Sequence, residues 1–240
     1  MSDKYNILEQ PNTQEFDDHL WWIVQQPQPM PIAQILPQCS ANGRKKALQN
    51  SFKSEHGSSR AYIEEIAAYC VEHNDFDNAE MNAFLISAVA GNIRNVVELL
   101  VRAIGHNLDP HIMQMAVQLK NVHATHLCLD VLGCADLNIF QTAAHGGLCE
   151  IVERMLPFCD AKANDSFALF NAVRCKHQNC VDVLYPVSDV KLVVQRLNTN
   201  FPHHADPLWE EFKARVERDV LCNHLNADGE SKKTIAKRKI

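Results

Sequence analysis

The sequence predicts an all-α protein: a solenoid of stacked helix pairs, with a helical extension before the array and a capping helix after it. Three observations carry that expectation. Apolar residues are spaced mostly three and four apart, which gathers them on one face of a helix, and strand-like alternation is weak. Glycine and proline are scarce, at 8 and 10 of 240 residues, and fall mainly at turns and breaks. Four segments between residues 82 and 185 superimpose on one another at intervals of 29, 27 and 29 residues.

The elements follow in chain order. Asn12 and Glu15 have capping-box spacing and open a helix with Phe16, Leu20, Ile23 and Val24 on one face. The proline-rich run from Gln25 to Pro31 ends it, because proline removes amide donors and disfavours helix in the residue before it. Trp21 and Trp22 are expected to pack, one on the first repeat and the other over the Pro/Gln loop, the alternative being an exposed aromatic anchor for a partner. Residues 43–59 are polar and basic around Ala47, Leu48 and Phe52. A helix over about 60–73 then carries Tyr62, Ile63, Ile66, Ala67 and Cys70.

From residue 77 the pattern becomes regular. A large apolar residue recurs at Phe84, Met113, Phe140 and Leu169, followed by a small one at Ser87, Ala116, Ala143 and Ala172. A turn position comes four residues on, at Gly91, Lys120, Gly147 and Lys176. The second stripe holds Val96, Thr125, Val152 and Val181, then Leu99, Cys128, Met155 and Leu184. Small residues let a neighbouring helix approach, the turn reverses the chain, and the second stripe seals against the next unit. No unit buries its apolar face alone, so stacking is obligatory. Asp77 with Glu80, Asp109-Pro110 and Asp206-Pro207 mark helix starts. Another unit begins at Asp189–Leu197, and Asn198 to Pro202 breaks it. The stretch 206–226, with Leu208, Trp209, Phe212, Val216, Val220 and Leu221, reads as a lid. The expected division is 1–76 as a helical extension, 77–200 as repeats, 201–228 as the capping helix and 229–240 as a basic disordered tail.

The array resembles the ankyrin-repeat family over about 77–200. The best pieces are Ala143-Ala144-His145-Gly146-Gly147-Leu148-Cys149-Glu150-Ile151-Val152, Ser87-Ala88-Val89-Ala90-Gly91-Asn92-Ile93, and Ala168-Leu169-Phe170-Asn171-Ala172. They look like the family's alanine pair, glycine turn and Glu-(Ile/Val)-Val second helix. The departures are a missing Thr-Pro-Leu-His opening, lysine at turn positions 120 and 176, and a period short of 33. The resemblance implies a protein-binding module without cofactor or metal, whose partner is held by the concave face and loops. Carried over by phase, the partner-binding residues are Gln114, Gln118, Gln141, His145, Phe170 and Arg174. The trimmed repeats, the separate N-terminal segment and the basic end resemble ankyrin proteins that intracellular bacteria deliver into host cells or that viruses encode.

Charge and composition narrow the alternatives. The chain carries 23 basic and 29 acidic residues, and five of the basic ones lie in the last ten positions, where there is no acid. An acidic body disfavours general nucleic-acid binding, which needs cations to displace the phosphates' counterions. No run of apolar residues is long enough for a membrane span. Nine cysteines, an odd number scattered through apolar segments, fit a reducing, cytoplasmic setting better than a disulfide framework. Cys175/His177/Cys180 and His123/His126/Cys128/Cys134 are the tightest metal-like groups, and neither has the paired spacing of a zinc site. The enzymatic alternative places an activity, or the regulation of one, in residues 1–76. Its discriminating feature is Cys39 with His56 and polar neighbours, with the repeats choosing the substrate.

Overall fold

A computed structural model of the chain describes residues 13–26, 30–53, 59–133, 136–202 and 206–237. Among these residues the regular structure is entirely helical. The chain forms two compact units, residues 1–133 and 134–240, and each takes two of the four repeat segments.

The first unit contains α1 (Thr13–Ile23), α2 (Ala41–Lys53), α3 (Ser59–Glu72), α4 (Asn78–Ala90), α5 (Arg94–Ile104), α6 (Pro110–Gln118) and α7 (Val122–Leu132). They pack as three helix pairs, α2/α3, α4/α5 and α6/α7. The leading helices α2, α4 and α6 lie side by side, and so do the trailing helices α3, α5 and α7. Residues 41–72, expected to be an extension, thus form a pair of their own beside α4/α5. The capping box survives in full: the Asp77 carboxylate accepts from the Glu80 amide at 2.8 Å, and Glu80 accepts from the Asp77 amide at 3.0 Å. Asp109 caps α6 through the His111 amide, with Pro110 at the first helical position. Asn12 lies outside the described residues. The α1 face toward α2 is Leu20 and Ile23, so Trp21 and Trp22 point elsewhere and are each 50% exposed.

The second unit contains α8 (Leu137–Gly146), α9 (Cys149–Met155), α10 (Ala163–Arg174), α11 (Gln178–Leu184), α12 (Val190–Asn200) and α13 (Pro207–Lys237). Here α8, α10 and α12 lie side by side, α9 rests on α11, and α13 closes against α10 and α12. The lid's buried stripe is Trp209, Phe212 and Val216, whereas Leu208 and Leu221 are exposed. Tyr185 donates to Asp219 at 2.6 Å and Arg215 pairs with Asp182 at 2.7 Å, fixing α13 against α11 and the turn that follows it. The helix continues to Lys237. Glu230, Lys232, Lys233 and Ala236 are good helix formers, and no proline interrupts them.

The turns that follow α4, α6, α8 and α10 share one backbone pattern. The left-handed residues are Asn92, Lys120, Gly147 and Lys176, with φ of 52°, 55°, 76° and 64°. The amide after each reaches back to the carbonyl of a small buried residue. Ile93 bonds Ala88, Asn121 bonds Ala116, Leu148 bonds Ala143 and His177 bonds Ala172, at 2.8–3.0 Å. This is the Schellman arrangement, which satisfies carbonyls left open at a helix end. It also corrects the sequence register of the first repeat by one residue. The equivalents of Met113, Ala116, Lys120, Thr125 and Cys128 are Leu85, Ala88, Asn92, Val97 and Leu100, not Phe84, Ser87, Gly91, Val96 and Leu99. Leu85, Ala88 and Leu100 are all fully buried. Gly91 attracts the alignment to itself, yet its φ is −78° and it merely ends α4.

A lysine held at φ 55° carries strain that glycine does not. Lys120→Gly is therefore expected to stabilise the chain by about 0.5–1 kcal/mol, and Lys120→Val to destabilise it by about 1–2 kcal/mol. Urea titrations of the two variants check this. Equal midpoints would refute it.

Candidate functional site

The predicted partner-binding residues fall in both units. Gln114 and Gln118 lie on α6 of the first unit, half-buried and exposed respectively. The other four lie on α8 and α10 of the second, which pack side by side. His145 is in the last turn of α8 and Arg174 ends α10, one 29-residue period later. Both are exposed. His145 Nδ1 lies 3.0 Å from the Cys175 thiol and 3.4 Å from Arg174 Nη2. Two donors thus converge on one ring nitrogen, which fits an Nδ1 that accepts and a proton carried on Nε2.

Beneath this exposed cluster the packing is polar and aromatic. Phe170 and Gln141 are 3% and 7% exposed, so they lie inside the structure rather than on a partner-facing surface. The Phe170 ring has the guanidinium of Arg174 at 5.9 Å and that of Arg196 at 5.4 Å, both within cation–π range. Asn171 donates to the Gln141 backbone carbonyl at 3.5 Å, while the Gln141 side-chain nitrogen is buried without a hydrogen-bond partner.

His177 locks the two turns together. Its Nε2 donates to the His145 carbonyl at 2.9 Å. The ring lies directly over Gly147, where a β-carbon would come within 2.5 Å of Nδ1. The glycine serves two needs, the left-handed turn and the space for an imidazole. Lys176, beside it, pairs with the buried Asp206 carboxylate at 2.7 Å and ties the turn to the start of α13.

Cys175 belongs to this cluster, as the repeat phase implies by placing it with Arg174 in the two positions before the turn at Lys176. Its signal was the same 29-residue period that relates Arg174 to His145. Among the described residues no three His, Cys, Asp or Glu side chains are grouped to hold a metal ion. Cys134 lies outside them.

Cys39 is in a different environment. It is 5% exposed, and its thiol donates toward the carbonyls of Phe16 and Ile35, each at 3.4 Å. Burial, with the Asp17 carboxylate close by, pushes the thiol up to about 11. A thiol held protonated in this way is poorly suited to nucleophilic attack at neutral pH. Asp17 instead accepts from the Ser40 amide at 2.8 Å and from its hydroxyl at 2.5 Å. Gly43 passes so close that a β-carbon would overlap Asp17. The surroundings of Cys39 are a joint between α1 and α2. His56 lies outside the described residues.

Comparison with protein-family models, with curated proteins and with solved structures finds no match to this chain. Among the described residues no helix is long and apolar enough to cross a membrane.

Proposed function

We propose that the chain is a non-enzymatic protein-interaction module: an ankyrin-like array of helix pairs that holds a protein partner on the face formed by the ends of its leading helices. The observation that carries this reading is the contact of His145 with Arg174, two exposed polar side chains presented one repeat apart by turns with the same hydrogen-bond pattern. Such a surface offers a cation, an imidazole and a thiol at fixed positions on rigid elements, which suits recognition of polar groups on another protein. In the first unit, Gln118 presents an exposed amide at the same repeat phase on α6. The free thiols among the described cysteines support a reducing, cytoplasmic setting, the cell's own or that of a host.

The test is affinity capture from cytosolic lysate, comparing the wild-type chain with a variant in which Gln118, His145 and Arg174 are all alanine. All three are exposed, so the variant is expected to fold, which circular dichroism checks. A partner held by the wild type and lost by the folded variant supports the reading. The same partner captured equally by both overturns it.

A further inference from the structure

We propose that a cleft in the first unit, between α2 and α4, binds an acidic amphipathic peptide segment. It lies outside the surface assigned above, and its occupancy does not depend on whether His145 and Arg174 contact a partner.

The cleft comes from the way two helix faces oppose each other. On α2, Lys45, Gln49, Phe52 and Lys53 recur at helical spacing; on α4, Glu80, Ala83, Phe84 and Ser87 do the same. The space between them is about 930 Å³, toward the upper end for a small-molecule site, and it is open rather than enclosed. From Asn42 to Lys53 the α2 wall is about 16 Å long, enough for roughly eleven residues of a helical ligand.

The lining has the anatomy of a peptide interface, apolar at the centre and charged at the rim. Among its apolar lining residues the Phe52 and Phe84 rings stack at 6.3 Å, and the buried Phe76 backs Phe84 from behind at 4.9 Å. Ala83 and Ser87 keep the α4 wall low, which allows close approach of another backbone. Among the described residues that line it are four cations, Lys45, Lys46, Lys53 and Arg60, and one carboxylate, Glu80. That is a local reversal of sign in a chain of net charge −6. Lys45 is already bound to Glu80, at 2.7 and 2.8 Å, and one Arg60 nitrogen donates to the Gly91 carbonyl at 3.1 Å. Lys46 and Lys53 are exposed at the rim.

Charge complementarity therefore selects the occupant. Aspartate or glutamate side chains meet Lys46, Lys53 and the remaining Arg60 donors, while aromatic or leucine anchors at i and i+4 cover Phe52 and Phe84. The anchors supply affinity, and the rim charges set orientation and speed of encounter. A small anion is a poorer fit, because the cations are spread along the slot instead of converging. A nucleic acid is a poorer fit too, because the acidic remainder of the chain repels a polyanion.

The experiment uses fluorescence anisotropy with the full chain and two labelled peptides of about twelve residues and identical composition. One places phenylalanine and leucine along a single helical face among glutamates, and the other scrambles them. An oligothymidine of about twenty nucleotides is the polyanion probe. The patterned peptide is expected to bind at least about tenfold more tightly than the scramble, and the double change Lys46→Glu/Lys53→Glu to weaken it by about tenfold or more. Ala83→Trp, which blocks the slot from another exposed position, should weaken it similarly. The Gln118/His145/Arg174 variant should bind the peptide as the wild type does. Equal affinity for the two peptides, unchanged binding by both cleft variants, tighter binding of the oligothymidine, or loss of binding in the triple variant would each overturn the proposal.

Discussion

Replacing Arg44 by alanine is expected to cost the first unit about 3–5 kcal/mol, because it strands a buried carboxylate. The guanidinium binds both oxygens of Asp75, at 2.6 and 2.8 Å, and the two side chains are 9% and 7% exposed. It also donates to the backbone carbonyls of Leu36, at 3.0 Å, and Cys39, and lies 5.0 Å from the centre of the Tyr69 ring. Lysine carries the charge but not the planar fork, so Arg44→Lys should recover only part of the loss. Asp75 supplies the pH arm. Its hydrogen bonds to Arg44 are the main cause that holds its carboxyl below the usual carboxylate range. A depressed folded pKa stabilises above the unfolded value, near about 4, and that contribution is lost as pH falls through the folded value. Urea unfolding of wild type and Asp75→Asn should show a large difference at neutral pH that narrows below about pH 4. A difference independent of pH would remove the ion pair from the explanation.

Gly147→Ala is expected to destabilise the second unit by about 3 kcal/mol, through two separate costs. The residue sits at φ +76°, and its new β-carbon would lie 2.5 Å from His177 Nδ1 and 2.8 Å from Cγ. The two costs separate in a double-mutant cycle with His177→Ala. Without the imidazole, only the backbone penalty of about 1 kcal/mol should remain for Gly147→Ala. If the penalty is the same in both backgrounds, the ring is not what the glycine makes room for. Because His177 holds the His145 carbonyl, the single variant should also weaken any partner contact made by His145.

The helical class and the places where chains turn were legible because both depend on local chemistry. Asp77 with Glu80 and Asp109 with Pro110 fix helix starts within a few residues, and the structure keeps them. The repeat was legible for the same reason, but its first register was not. Glycine is the usual left-handed residue after a helix, so Gly91 looks like the turn, and only the bond from Ile93 to Ala88 shows that Asn92 takes that role. The polar interior was harder still. Arg44 and Asp75 lie 31 residues apart, and nothing local distinguishes Arg44 from the exposed Lys46 two residues on. Phase sets His145 and Arg174 one period apart, and their side chains meet at 3.4 Å. Phase could not tell that Gln141 and Phe170 lie beneath them, because a leading helix has a buried side as well as an exposed one.

One guanidinium holding three stretches of chain has a consequence for how the first unit breathes. The Leu36–Cys39 segment, α2 and the turn after α3 all meet at Arg44, so none of them can swing away while the others stay put. The amides of α2 and of the segment before it are therefore expected to lose their protection from solvent exchange in one concerted event, which hydrogen exchange checks. Since α2 is one wall of the cleft, the slot that receives a ligand is assembled and dismantled as a whole. Acid strong enough to discharge Asp75 is what loosens that assembly.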